Sequence, residues 1–253
     1  MSGFSRRGFL TGAAVSTSAI ALVGCNSDKS TPHAEAEEQP PLADATVAFD
    51  GPHQAGIDTP EQAHLNLVGF DLKGGIGKRG FARLMKLWTE DARALCTGQP
   101  PLGTLEPEMV RQPANLTITC GLGERIFSLL GVDKPKWLGD VRAYSRDQLD
   151  DKWGQTDIVL QICSDDPLMN TYALRHMVRS GEHYAEVSWL QQGFINAYGS
   201  HEKGATARNM FGQKDGTVNP RGDEQFADQV WIEDGPKWQQ GGAAMVVRRI
   251  RMN

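Results

Sequence analysis

The residues best suited to chemistry stand together near the end of the sequence, in Asn209-Met210-Phe211-Gly212-Gln213-Lys214-Asp215-Gly216-Thr217-Val218-Asn219-Pro220. Two glycines, Gly212 and Gly216, bracket a lone carboxylate, Asp215, and an Asn-Pro pair closes the loop. Glycine enters backbone conformations that side chains disfavour, so such a loop can turn tightly and approach a flat ligand closely. A carboxylate on a short stem between them can be aimed at one atom, to take a proton and return it. The same residues also make an ordinary surface Asp-Gly turn, and the local pattern does not separate the two.

Other reactive residues are less organised. The six histidines, His33, His53, His64, His176, His183 and His201, all precede Asp215. His33 falls in a polar stretch. His176 lies on a helix, where packing or surface exposure is its expected role, and His183 and His201 have polar neighbours. The cysteines, Cys25, Cys96, Cys120 and Cys163, contain no C-x-x-C pair, which argues against a zinc site or redox motif. Cys120 and Cys163 sit in apolar runs and read as small buried hydrophobes. A disulfide among Cys96, Cys120 and Cys163 stays open as an option in an oxidising compartment. Gly121-Leu122-Gly123 lacks the third glycine or Lys-Ser/Thr that a phosphate loop needs. A net charge of −5 without a basic block argues against nucleic acid as the main partner.

The 253 residues, 40% hydrophobic and 23% charged, suffice for one or two globular domains. His64-Leu65-Asn66-Leu67-Val68-Gly69-Phe70 alternates as a strand with one buried face. Phe81, Leu84, Met85, Trp88, Ala92 and Leu95 repeat at helical spacing, and Gly98-Gln99-Pro100-Pro101 ends that helix. Residues 116–120 form a second strand, 124–130 a short helix and 157–163 a third strand. Pro167 starts a helix closed by Gly181, and 185–190 make a fourth strand. A strand-like run follows the Asp215 loop at 243–252. The order of elements predicts an α+β sandwich, an antiparallel sheet with helices packed on one face.

The first 25 residues read as an address. Ser5-Arg6-Arg7-Gly8-Phe9-Leu10 precedes a short apolar stretch, as in a twin-arginine export signal. Leu22-Val23-Gly24-Cys25 resembles a bacterial lipobox, in which the Cys25 thiol would take the lipid. Ordinary cleavage nearby, with a soluble product, is the alternative. Residues 26–42, rich in Ser, Pro, Ala and Glu, cannot bury enough apolar surface to offset their ordering entropy and read as a tether.

Taken together, these segments resemble the DyP-type (dye-decolourising) peroxidases, especially their twin-arginine-exported, deferrochelatase-like branch found with bacterial iron uptake. The family's G-x-x-D-G motif is similar to 212–216, and the likeness continues through Thr217, Asn219 and Pro220. His53-Gln54-Ala55-Gly56-Ile57 with Thr59-Pro60 resembles the branch's lead-in segment. Leu116-Thr117-Ile118-Thr119, Leu160-Gln161-Ile162-Cys163 and Trp189 with Gly193-Phe194 also fit. Trp238, Gly241-Gly242 and Val247-Arg248 with Ile250 fit the strand after the motif. The resemblance runs from about residue 52 to Asn253 in the family's order. Chlorite dismutases share the architecture but lack this motif.

The resemblance implies a DyP peroxidase fold: two ferredoxin-like modules with haem b in the second. It divides the sequence into the signal with lipobox (1–25), the flexible tether and lead-in (26–55), the first module (56–207) and the start of a second, incomplete module (208–253). Asp215 would sit on the open side of the haem as general base toward hydrogen peroxide, with backbone at Gly216, Thr217 and Val218 close to the porphyrin. The family's proximal His and distal Arg lie beyond this motif and have no counterpart in these residues. The sequence is therefore read either as part of a longer gene product, with the iron ligand beyond Asn253, or as a short chain that does not hold haem productively. The implied activity is peroxide-dependent oxidation of bulky organic substrates, with iron release from haem as a branch activity, in an exported, extracytoplasmic protein. The implied partners are hydrogen peroxide, an organic reductant or haem, iron-uptake proteins, a lipid anchor and further copies of the chain. A non-catalytic haem- or iron-handling protein of the envelope is the alternative.

Overall fold

The structure is a computed structural model that describes residues 41–200 and 205–252. Arg6, Arg7, Cys25, His33 and His201 lie outside the described residues. The elements run β1 (His64–Leu72), α1 (Lys78–Cys96), β2 (Thr117–Leu122), α2 (Glu124–Leu130), β3 (Ile158–Ser164), α3 (Pro167–Gly181), β4 (Ala185–Phe194) and α4 (Gly222–Gln229). The strands form one sheet in the order β2-β3-β1-β4, with every neighbouring pair antiparallel. With α2 as an insertion between β2 and β3, this is the ferredoxin-like βαββαβ arrangement, an α+β fold as expected.

The core follows from alternation along the strands. Asn66, Val68 and Phe70 of β1, Ile118 of β2, and Ile158, Leu160 and Ile162 of β3 point toward α1 and α3. Those helices answer with Phe81, Leu84, Trp88, Ala92 and Leu95, and with Met169, Tyr172, Ala173 and Met177. Each large apolar side chain buried there contributes roughly 1.5–3 kcal/mol. Asn66 and Asn170 satisfy each other inside this layer. Asn170 also donates to the Ile162 carbonyl at 2.8 Å, and Gln192 donates to Asn66 at 3.0 Å.

Two local expectations are corrected. β1 is covered on both faces over residues 66–70 because it is central, with β3 and β4 on either side. On the face away from the helices, the Trp189 ring lies so close over Gly69 that a Cβ there would come within 2.6 Å of it. Gly181 does not close α3 by a left-handed turn but is its last helical residue. Its lack of a side chain admits Trp88, whose ring would stand 2.5 Å from any Cβ at 181 and whose indole donates to the Met177 carbonyl at 3.0 Å. A left-handed glycine does cap α2, at Gly131 (φ 66°).

The lead-in is laid across the face of the sheet opposite the helices. Gln54 bonds the Cys120 backbone at both its N–H (2.9 Å) and its carbonyl (3.0 Å). Thr119 donates to the Ala55 carbonyl at 2.6 Å, and Gln161 donates to the Gly56 carbonyl at 2.8 Å. Upstream, Arg93 grips Asp50 through two bonds, at 2.8 and 2.9 Å, and holds that carboxyl below its ordinary range.

The strand expected at 243–252 is absent. A strand exists only where its N–H and C=O groups find a neighbouring strand. Among the described residues, no backbone hydrogen bond outside the named elements involves 243–252. Side chains hold this stretch instead: Arg248 meets Asp147 at 2.7 Å, and the Arg249 guanidinium lies 3.2 Å from the centroid of the Trp153 ring.

Candidate functional site

The Asp215 loop is a small hairpin whose geometry follows from its Asn and Gly residues. The Asn209 N–H donates to the Gln213 carbonyl at 2.9 Å, and the Asp215 N–H donates to the Ala207 carbonyl at 3.0 Å, with Arg208 and Lys214 bridged between them. The turn at 210–212 is set by the Asn209 side chain, whose Oδ1 accepts from the N–H groups of Phe211 (3.0 Å) and Gln213 (3.2 Å). Gly212 takes φ 80°, and Arg208 donates to its carbonyl at 2.6 Å. Gly216 takes φ 84°, and a Cβ there would lie 2.8 Å from Asn219 Nδ2. The loop then passes through Pro220 into α4, where the Arg221 N–H donates to the Gln225 side chain at 2.9 Å.

This hairpin carries Asp215 outward. Asp215, Thr217 and Val218 are exposed and Gly216 is half-buried; Val218 is 90% exposed. Met210 and Phe211, at the tip of the hairpin, are also exposed. The residues singled out from sequence thus form one contiguous lip: a carboxylate, a position without Cβ and an uncovered apolar side chain. That composition fits one side of a flat, largely apolar group such as haem. It does not supply an axial nitrogen. No described histidine bonds to or stacks on the 207–219 hairpin. His53 stacks on Trp231, His183 meets Tyr184 edge-on, and His176 packs between α1 and α3. Among the described residues there is also no cluster of three metal-ligating side chains.

His176 is a packing residue, as expected, but its partner Asp91 was not visible in the sequence. Nε2 and Oδ2 stand 3.1 Å apart, within ion-pair distance, yet without the alignment of a hydrogen bond, and both atoms lack another partner. Cys96, Cys120 and Cys163 are free thiols, so no disulfide joins them. Burial pushes Cys96 and Cys120 up to about 12 and Cys163 to about 11. Gly121 and Gly123 are packing glycines rather than a phosphate loop. A Cβ on Gly123 would strike the Thr156 carbonyl at 1.9 Å, and one on Gly121 would meet Val159 at 2.7 Å.

Sequence reasoning also missed how the stretch after the hairpin is fastened. Trp231 lies under His53, Trp238 meets Phe127 of α2 with centroids 5.6 Å apart, and Arg248 and Arg249 reach the 131–156 excursion. Only the abundance of aromatic and arginine residues around 231–251 hinted at it. The described residues consequently form one compact unit.

Comparison with known proteins agrees with this picture. The family model "Dyp-type peroxidase, N-terminal" matches residues 54–195, and "Dyp-type peroxidase, C-terminal" matches 206–253. A deferrochelatase of Yersinia pestis bv. Antiqua (strain Nepal516) is 36% identical over an alignment of 223 residues that covers 80% of this chain and 51% of that protein. A dye-decolorizing peroxidase of Thermobifida fusca (strain YX) is 31% identical, covering 99% of this chain and 64% of that one. The crystal structure of a DyP-type peroxidase from Cellulomonas bogoriensis superposes with a TM-score of 0.75 at 36% identity, over 79% of this chain and 56% of its own. The chain thus spans about half the length of the curated relatives it matches. The N-terminal match covers more than half of the sequence and its βαββαβ sheet, the C-terminal match falls on the Asp215 hairpin, and the chain belongs to the Dyp-type peroxidase family.

Proposed function

We propose that the complete gene product is a haem-dependent peroxidase that oxidises bulky organic substrates with hydrogen peroxide, and that Asp215 is its general base. The observation that carries this reading is the lip at 215–218: an exposed carboxylate between two left-handed glycines, beside uncovered Val218, within the C-terminal family match. Haem, when bound, supplies the electrons that cleave peroxide. Asp215 takes the proton from one peroxide oxygen and returns it to the other, which leaves as water. Backbone at Gly216, Thr217 and Val218 would lie close to the porphyrin, and the uncovered Val218 side chain would offer it apolar surface. Residues 56–207 act as the first module and 208–253 as the opening of the haem-binding module.

Relatives named deferrochelatase support iron release from haem as an activity of the same site. The Arg6-Arg7 pair and Cys25 support export by the twin-arginine route, with a lipid anchor near iron-uptake partners. The test is to add haemin to the complete gene product, record the Soret band, then add peroxide and a dye. A stoichiometric haem spectrum that changes with peroxide and turns over dye is expected. A haem band indifferent to peroxide would assign the protein to haem or iron handling without catalysis.

A further inference from the structure

Asn209 and Asp215 are diagonal neighbours on one face of the hairpin. Residue 209 pairs with 213 and residue 207 with 215, while the bridged pair Arg208 and Lys214 lies on the opposite face. The Asn209 amide has one acceptor end and one donor end, and the turn decides which is which. Two backbone N–H groups, from Phe211 and Gln213, converge on Oδ1 at 3.0 and 3.2 Å. A nitrogen there would set donor against donor, so the amide has one admissible orientation. Nδ2 therefore faces Asp215, and it donates to Oδ2 at 3.3 Å. No other side-chain hydrogen bond and no ion pair reaches that carboxylate among the described residues.

We infer that Asn209 is a positioning residue for Asp215. It tethers Oδ2 through an N–H donor and leaves Oδ1 as the oxygen that meets the peroxide proton. One side chain thus shapes the turn with its oxygen and orients the base with its nitrogen. This rests on the reading of Asp215 as the base. The contact and the role of the base can nevertheless fail separately.

The Asn209→Asp variant separates the two tasks. It keeps an acceptor for the Phe211 and Gln213 N–H groups but sets an oxygen, not a donor, against Asp215. In the complete, haem-loaded protein, haem content should be kept and peroxide reaction should slow by roughly tenfold to a hundredfold, the effect of a misplaced catalytic group. The pH below which peroxide reaction fails should also rise. A readout independent of haem comes from the Asn209 side-chain amide in the labelled apoprotein. Asp215→Ala should shift one of its two proton resonances and leave the other in place. Unshifted amide protons, or an Asn209→Asp protein with wild-type rate and pH profile, would overturn the inference. If the amide proton shifts but Asp215→Asn leaves the peroxide rate unchanged, the contact stands and Asp215 is not the base.

Discussion

The imidazole of His53 lies flat on the indole of Trp231, with ring centroids 3.7 Å apart and planes 6° from parallel. Its Nδ1 is 2.7 Å from the Gly241 carbonyl and therefore carries the proton it donates there. Gly241, at φ 77°, packs so closely that a Cβ would stand 2.8 Å from the Pro52 carbonyl. The next residues, Gln54 to Gly56, bond to β2 and β3. A few consecutive residues thus splint the region after Asp215 to the back of the sheet. A stack and a hydrogen bond of this kind contribute about 1–3 kcal/mol together. His53→Ala should therefore expose 231–252 to proteolysis and lower stability by that amount, read by tryptophan fluorescence in urea. An unchanged digestion pattern would show that other contacts hold the region.

Asp157 is a second fastening point. It is 1% exposed, it accepts the Leu72 N–H at 2.7 Å, and both its oxygens receive the Arg125 guanidinium. It therefore joins the end of β1, the start of β3 and α2. Arg125 is largely exposed, which weakens the ion pair by solvent screening, so the backbone bond and the loss of a partner for a buried group dominate. Asp157→Ala should cost about 2–4 kcal/mol. Equilibrium denaturation measures this, and a loss under half a kcal/mol, a surface-like value, would contradict it.

Acid should release the end of the described chain. The Tyr144 N–H, and secondly the Arg248 guanidinium, hold the Asp147 carboxyl below its ordinary 3.8. A carboxyl lowered on folding adds stability that is complete above its unfolded value and is lost as pH falls through its folded value. The Arg248 tie should persist through neutral and mildly acidic solution and open only below about 3.8. Emission from Trp153, which carries Arg249, or the Arg248 Nε resonance should report that step. Release already near neutral pH would show that the tie is not electrostatic.

The sheet and its helices were legible because their periodicities are strong. Phe81 to Leu95 repeats on one helical face, Pro167 announces a helix start, and the apolar run that precedes it becomes β3, whose side chains alternate between buried and half-buried. The 243–252 run failed because alternation predicts a strand only where a partner edge exists, and the local sequence does not contain its partner. Gly181 ends α3 as read, but not by a left-handed turn. Its meaning lies in Trp88, far away in sequence, and not in the chain beside it. At the candidate site, the motif showed which residues matter but not the support behind them. The Asn209 amide contact and the His53 stack are, respectively, a diagonal across a hairpin and a contact spanning almost the whole folded part.

The thiols offer a simple check on the core. A thiol at about 12 holds roughly a thousandfold less thiolate at neutral pH than one at its ordinary value of 9.0. Cys96 and Cys120 should resist iodoacetamide in the folded protein and react readily in urea. Cys163, at about 11, should be the first of the three to respond as pH is raised. Rapid labelling of Cys120 in the native state would mean that the helix-side core over β2 opens.

The most direct test of the central claim is the rate at which the haem-loaded complete protein reacts with peroxide when Asp215 is replaced by Asn. The substitution keeps the shape of the lip and removes the proton acceptor. Haem content should be retained and the peroxide reaction, followed by stopped-flow at the Soret band, should slow by about 10²–10⁴-fold. A wild-type rate in Asp215→Asn with full haem occupancy would contradict the assignment of Asp215 as the base.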